Sequence, residues 1–158
     1  MLKKSSDKKK KKQKKEEVAL DSKQPIYIIN NIASRADDKD EIRTINCYGD
    51  IGERMASEII HAMLYFNHTR EEIIEKEDGS VEQNIRPFKM YISTHGGVVS
   101  DMFSILDVMD MVKRDCEIET IGIGKVMSAG VLLLASGTKG SRKIGKNCRV
   151  MLHQVSAG

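Results

Sequence analysis

The sequence has 158 residues, 40% hydrophobic and 31% charged, with four Tyr, three Phe, no Trp and a net charge of +3. That length predicts one domain with a real core, and the composition is that of a globular chain rather than a disordered or membrane-embedded one. The longest apolar run, Val131–Ala135, is far short of the roughly 20 residues that span a bilayer. No apolar stretch follows the basic N-terminus as a secretory leader requires, so the reading is no membrane and a cytoplasmic location.

The charge is unevenly spread. Residues 1–24 carry ten Lys against four acids, a local +6, while the remaining residues sum to −3. Block charge of this kind predicts a disordered, solvated lysine-rich tail over 1–24, ahead of a folded domain over 25–158. Lys8–Lys12 would attract phosphate without sequence preference, but no arginine or aromatic is interleaved, and a dedicated nucleic-acid site is not expected. Cys47, Cys116 and Cys148 are far apart in sequence. They match no zinc spacing and read as small, buried apolar residues.

After the tail, Pro25–Ile32 reads as extended and apolar, and Arg35–Glu41 as a charged loop. Ile42–Tyr48 alternates as a strand that Gly49-Asp50 ends. From Glu53 to Phe66 the residues Ala56, Ile59, Ile60, Met63, Leu64 and Phe66 fall at helical spacing and read as core. Asn67–Pro87 is polar and charge-dense, a solvent-exposed excursion with a turn at Asp78-Gly79 and room for a small hairpin. Lys89–Thr94 is a strand ending at Gly96-Gly97. Val99–Val112 is a helix with Met102, Phe103, Leu106, Met109 and Val112 on its inner face. Glu117–Ile123 is a strand closed by Gly124. Ser128–Ser136 is a buried helix, Gly137–Asn147 a loop, and Arg149–His153 a strand. Strands and helices in alternation predict a layered α/β fold with right-handed crossovers.

The chemistry concentrates at one strand-to-helix junction. Ser128 opens a helix, and position alone favours an N-cap. The same helix-terminal amides also stabilise developing negative charge, so a nucleophile there would stand beside a half-built oxyanion hole. Gly96-Gly97 occupies a similar junction, where the absence of side chains lets backbone N–H groups approach a ligand. His153 lies 25 residues beyond Ser128. The helix advances about 13 Å, and a strand returns that distance in roughly four residues. A Ser–His pair is permitted by this geometry, though not demanded.

The stretch Tyr91–Gly158 resembles the ClpP family, the proteolytic subunits of ATP-dependent Clp proteases. Gly124-Lys125-Val126-Met127-Ser128-Ala129-Gly130-Val131 is similar to the family's nucleophile segment. Arg149-Val150-Met151-Leu152-His153-Gln154 is similar to its base segment, at the family's interval, and Tyr91-Ile92-Ser93-Thr94-His95-Gly96-Gly97 resembles its glycine turn. The resemblance implies the ClpP/crotonase-like spiral of repeated β-β-α and βα units. It implies Ser128 as nucleophile, His153 as base and the amides of Gly97 and Ala129 as oxyanion hole, with substrate against Gly96, Val98 and Gln154. It further implies a serine endopeptidase without a cofactor or metal of its own. Such subunits stack as heptameric rings, and an AAA+ Clp unfoldase spends ATP to feed them unfolded proteins.

There are departures. Thr94-His95 stands where the family has Ser-Pro, and the insertion at Asn67–Pro87 is unusual. The family's catalytic aspartate and its helical ring-stacking handle would fall beyond Gly158, so the sequence reads as a fragment or a reduced variant. Three alternatives stand beside the main reading: a phage-type head-maturation protease, a non-catalytic ClpP-like ring subunit, and a crotonase-superfamily acyl-CoA hydratase or isomerase.

Overall fold

Strand β1 (Thr44–Tyr48) buries Ile45 and Cys47 on one side of its pleat. In the computed structural model, which describes residues 42–154, it leads into helix α1 (Glu53–His68). The predicted tail over 1–24, its boundary with the folded domain, the apolar stretch Pro25–Ile32 and the loop Arg35–Glu41 all lie outside the described residues. Met55, Ala56, Ile59, Met63 and Phe66 form the buried stripe of α1. Leu64 was expected in that stripe but is exposed, because it falls one position off the 3.6-residue period that Met63 and Phe66 follow.

The polar excursion is an antiparallel ribbon of β2 (Glu71–Glu75) and β3 (Val81–Ile85), joined through the Asp78-Gly79 turn. Arg43 clamps its base. Its guanidinium donates to the carbonyls of Phe66, Thr69 and Pro87 and to the Thr69 hydroxyl, and stacks 4.8 Å from the Phe66 ring centroid. The end of α1 is thereby tied to the start of β4 (Phe88–Thr94).

Helix α2 (Val99–Val112) follows and buries Met102, Ile105, Met109 and Val112. Phe103, expected on the inner face, is 54% exposed, and Ile105 takes the core position at the correct spacing from Met102 and Met109. Strand β5 (Ile118–Met127) does not stop at Gly124 as expected. Gly124 adopts φ 62° inside the strand, and pairing with β4 shifts register from Ile92↔Gly122 to Thr94↔Val126. The glycine is a bulge that re-aims the strand end, as strand glycines often do.

Helix α3 (Ala129–Ala135) comes next. It was expected to be wholly buried, but only Ala129, Gly130, Leu133 and Leu134 are, while Leu132 faces out. The expected loop over Gly137–Asn147 contains strand β6 (Arg142–Ile144), and the last strand, β7, is Arg149–Met151. It ends two residues before His153, where the sequence had placed the strand end.

The main sheet is parallel throughout, in the order β1-β4-β5, with β6 and β7 both on the far edge of β5. β6 pairs with Thr120–Gly122 and β7 with Lys125–Met127. Glu119 bridges this arrangement: it meets Lys143 of β6 at 2.5 Å and Lys89 of β4 at 3.9 Å, and the Lys143 bond holds its carboxyl below the ordinary range. No helix among the described residues is long and apolar enough to cross a membrane.

Candidate active site

Ser128 stands between β5 and α3, but it does not cap the helix with its side chain as its position suggested. Its backbone is at φ 53°, ψ −124°, and it is the one non-glycine with positive φ among the described residues. This conformation favours glycine, and holding a serine in it costs of order 1–3 kcal/mol. A cap needs extended backbone at the serine. The sharp corner turns the side chain away from the helix amides and toward the glycine turn.

Gly96 shows where that side chain goes. A Cβ at Gly96 would stand 2.6 Å from Ser128 Cβ and 3.1 Å from its Oγ. Only a residue without a side chain leaves room for the serine there. Gly97 is held from the other side: the Ile51 amide donates to the Gly96 carbonyl at 2.8 Å, and the Val98 amide donates to the Ile51 carbonyl at 2.9 Å. A Cβ on Gly97 would run into the Ile51 backbone. Both glycines have positive φ, 109° and 152°.

The amides around Ser128 divide into paired and unpaired ones. The Ser128 N–H is taken by the Met151 carbonyl at 2.9 Å and the Val98 N–H by Ile51. The N–H groups of Gly97, Ala129 and Gly130 meet no acceptor among the described residues, and the first two are those the family resemblance singles out. Free amides flanking a serine are what a developing oxyanion requires.

The same Ser128–Met151 bond brings the C-terminal strand to the junction. His153 is two residues further along, past the end of β7, and is exposed together with Leu152 and Gln154. No hydrogen bond joins His153 to Ser128, or to any carboxylate, among the described residues. Gly96 is buried, while Gly97 and Val98 are open to solvent. His95 is exposed beside them. No cluster of His, Cys, Asp and Glu suited to a metal occurs among the described residues.

Cys47 and Cys116 are buried, as expected, and Cys148 is partly so. Burial pushes the Cys47 thiol up to about 12. Thr94, noted in the sequence only as a departure from the family's Ser-Pro, has a buried hydroxyl that bonds the glycine turn. Its signal was a hydroxyl at the end of a strand immediately before a glycine pair.

A parallel α/β sheet that delivers a serine to a strained strand-to-helix corner, against a glycine turn and beside free amides, sets the class of this protein. A sequence profile of the Clp protease family matches residues 29–158, and the chain belongs to that family. Among solved structures it is similar to the crystal structure of the ClpP protease catalytic domain from Plasmodium falciparum. The two share 32% identity with a TM-score of 0.58, over 72% of this chain and 55% of that one. The expected ClpP-like α/β fold is therefore present, in a chain spanning little more than half the length of that domain.

Proposed function

We propose that this chain is a serine endopeptidase subunit of the Clp type. The observation that carries the reading is the strained Ser128 corner, with its side chain against Gly96 and the Gly97 and Ala129 amides left free. In this reading Ser128 Oγ attacks the scissile carbonyl while His153 takes its proton. The oxyanion is held by the two amides, and His153 returns the proton to the leaving amine. Water then releases the acyl group by the reverse use of the same residues. Substrate lies extended along Gly96–Val98, bonded as an added strand, with Gln154 beside it.

The chemistry uses no cofactor or metal. By family likeness the subunit works in the cytoplasm in stacked heptameric rings, and an AAA+ unfoldase spends ATP to supply unfolded chains. The missing Ser128–His153 bond forms when substrate binds, since catalytic bonds often tighten only in the complex.

A fluorophosphonate probe tests the reading. The protein is expected to be labelled at Ser128, and Ser128→Ala to abolish labelling. Labelling that persists in Ser128→Ala, or a folded wild type that never labels, overturns it in favour of a non-catalytic role.

A further inference from the structure

Thr94 is fully buried, at 0% exposure, and is one of very few buried polar side chains among the described residues. Its hydroxyl donates to the Gly49 carbonyl at 2.5 Å and accepts the Gly96 N–H at 2.9 Å. Its γ-methyl fills the space a Cβ on Gly130 would need, at the first turn of α3. Its backbone pairs in register with Val126, two residues before Ser128. One side chain therefore touches the turn after β1, the glycine turn, and the start of the serine's helix.

We infer that Thr94 is a positioning residue for the Ser128 site: its hydroxyl fixes the Gly96-Gly97 turn, and its methyl sets the distance of that turn from α3. This rests on the serine endopeptidase reading above. The hydroxyl holds the Gly96 amide inward and leaves the next amide, that of Gly97, without an acceptor among the described residues. The methyl meets a glycine, so contact is made backbone-close, with no flexible side chain to absorb a shift. Both free amides thus take their separation from one residue that touches neither substrate nor Ser128 Oγ.

Two substitutions separate the parts. Thr94→Val keeps the methyl and puts a second one in place of the hydroxyl, and Thr94→Ser keeps the hydroxyl and loses the methyl. With a fluorophosphonate, Thr94→Val is expected to slow Ser128 labelling about 10- to 100-fold, short of the 10²–10³ typical for outright loss of an oxyanion donor. On a peptide ester the loss should fall in kcat, with KM within about twofold, because the oxyanion forms only on the way to the transition state. Thr94→Ser, which keeps the tether and loses only the methyl contact, should slow labelling by no more than about threefold. A merely structural threonine would lower the melting temperature without this split.

Gly130→Ala tests the methyl contact from the helix side and does not depend on Thr94→Val folding. It should slow labelling, and Thr94→Ser in the same chain should recover it. Wild-type labelling in Thr94→Val, or no recovery in the double variant, overturns the inference. Should the wild type never label, the endopeptidase reading falls, and amide exchange at Gly96 decides the tether alone. Exchange more than about tenfold faster in Thr94→Val than in Thr94→Ser supports it. Equal exchange refutes it.

Discussion

The Ser128 N–H donates to the carbonyl of Met151 at 2.9 Å. That bond spends the serine's own amide on the last residue of β7, so the serine's position and the approach of the His153 segment are fixed together. It also holds Ser128 in its positive-φ corner, since the turn lets that amide face β7 while the side chain faces Gly96.

The corner has a stability consequence. Ser128→Gly removes both the side chain and the backbone strain, whereas Ser128→Ala removes only the hydroxyl. Ser128→Gly is therefore expected to be more stable than Ser128→Ala by about 1 kcal/mol, the strain relieved less the extra flexibility glycine gives the unfolded chain. Urea unfolding of the two variants reads the difference directly. Equal midpoints would show that the corner stores no strain. Neither variant should label.

Cys47 gives a pH signature. Its native thiol is pushed up to about 12 by burial, against an ordinary value of 9.0. Above pH 9 the unfolded chain releases this proton and the native chain keeps it. The native state then binds more protons, and stability falls as pH rises. The contribution is fully present below pH 9 and is lost between 9 and about 12, at a slope approaching 1.4 kcal/mol per pH unit from this group. Cys47→Ala, compared with wild type over that window, should show a shallower decline. Parallel curves would refute the assignment.

Arg43 supplies a third measurement. Its planar fork reaches three carbonyls and a hydroxyl at once, a geometry a lysine ammonium does not reproduce. Arg43→Lys should cost about 2–4 kcal/mol, since buried acceptors lose partners while a charge stays buried. Amide exchange should rise first at the base of the β2–β3 ribbon. A loss under 0.5 kcal/mol would show that the clamp is dispensable.

The legibility of this chain in its sequence follows the range of the forces involved. The span of helix α2 was legible because its apolar period is local, though Phe103 was placed inward where Ile105 is buried. Gly124 misled because a glycine that ends a strand and one that bulges it look alike until the partner strand's register is known. Strand β6 was hidden in a Gly- and Lys-rich stretch: its three residues are all exposed and are held by edge pairing with β5 alone. At the site, the motif and interval singled out Ser128, the glycine pair and His153; the structure sets Gly96 against Ser128 but joins His153 to neither. The strain at Ser128 was not, because a serine before a helix normally reads as a cap.

The far edge of β5 gives the two halves of the site unequal tenacity. Ser128 is anchored by a ten-residue strand in the middle of the sheet, whereas His153 follows a three-residue edge strand with Val150 and Met151 each 46% exposed. Short edge strands open at a fraction of the global free energy. The His153 segment can therefore detach at less cost than β5, and because the Ser128 N–H bonds Met151, its detachment also releases the serine's corner. On the serine endopeptidase reading proposed above, loss of the β7 pairing would remove activity ahead of global unfolding.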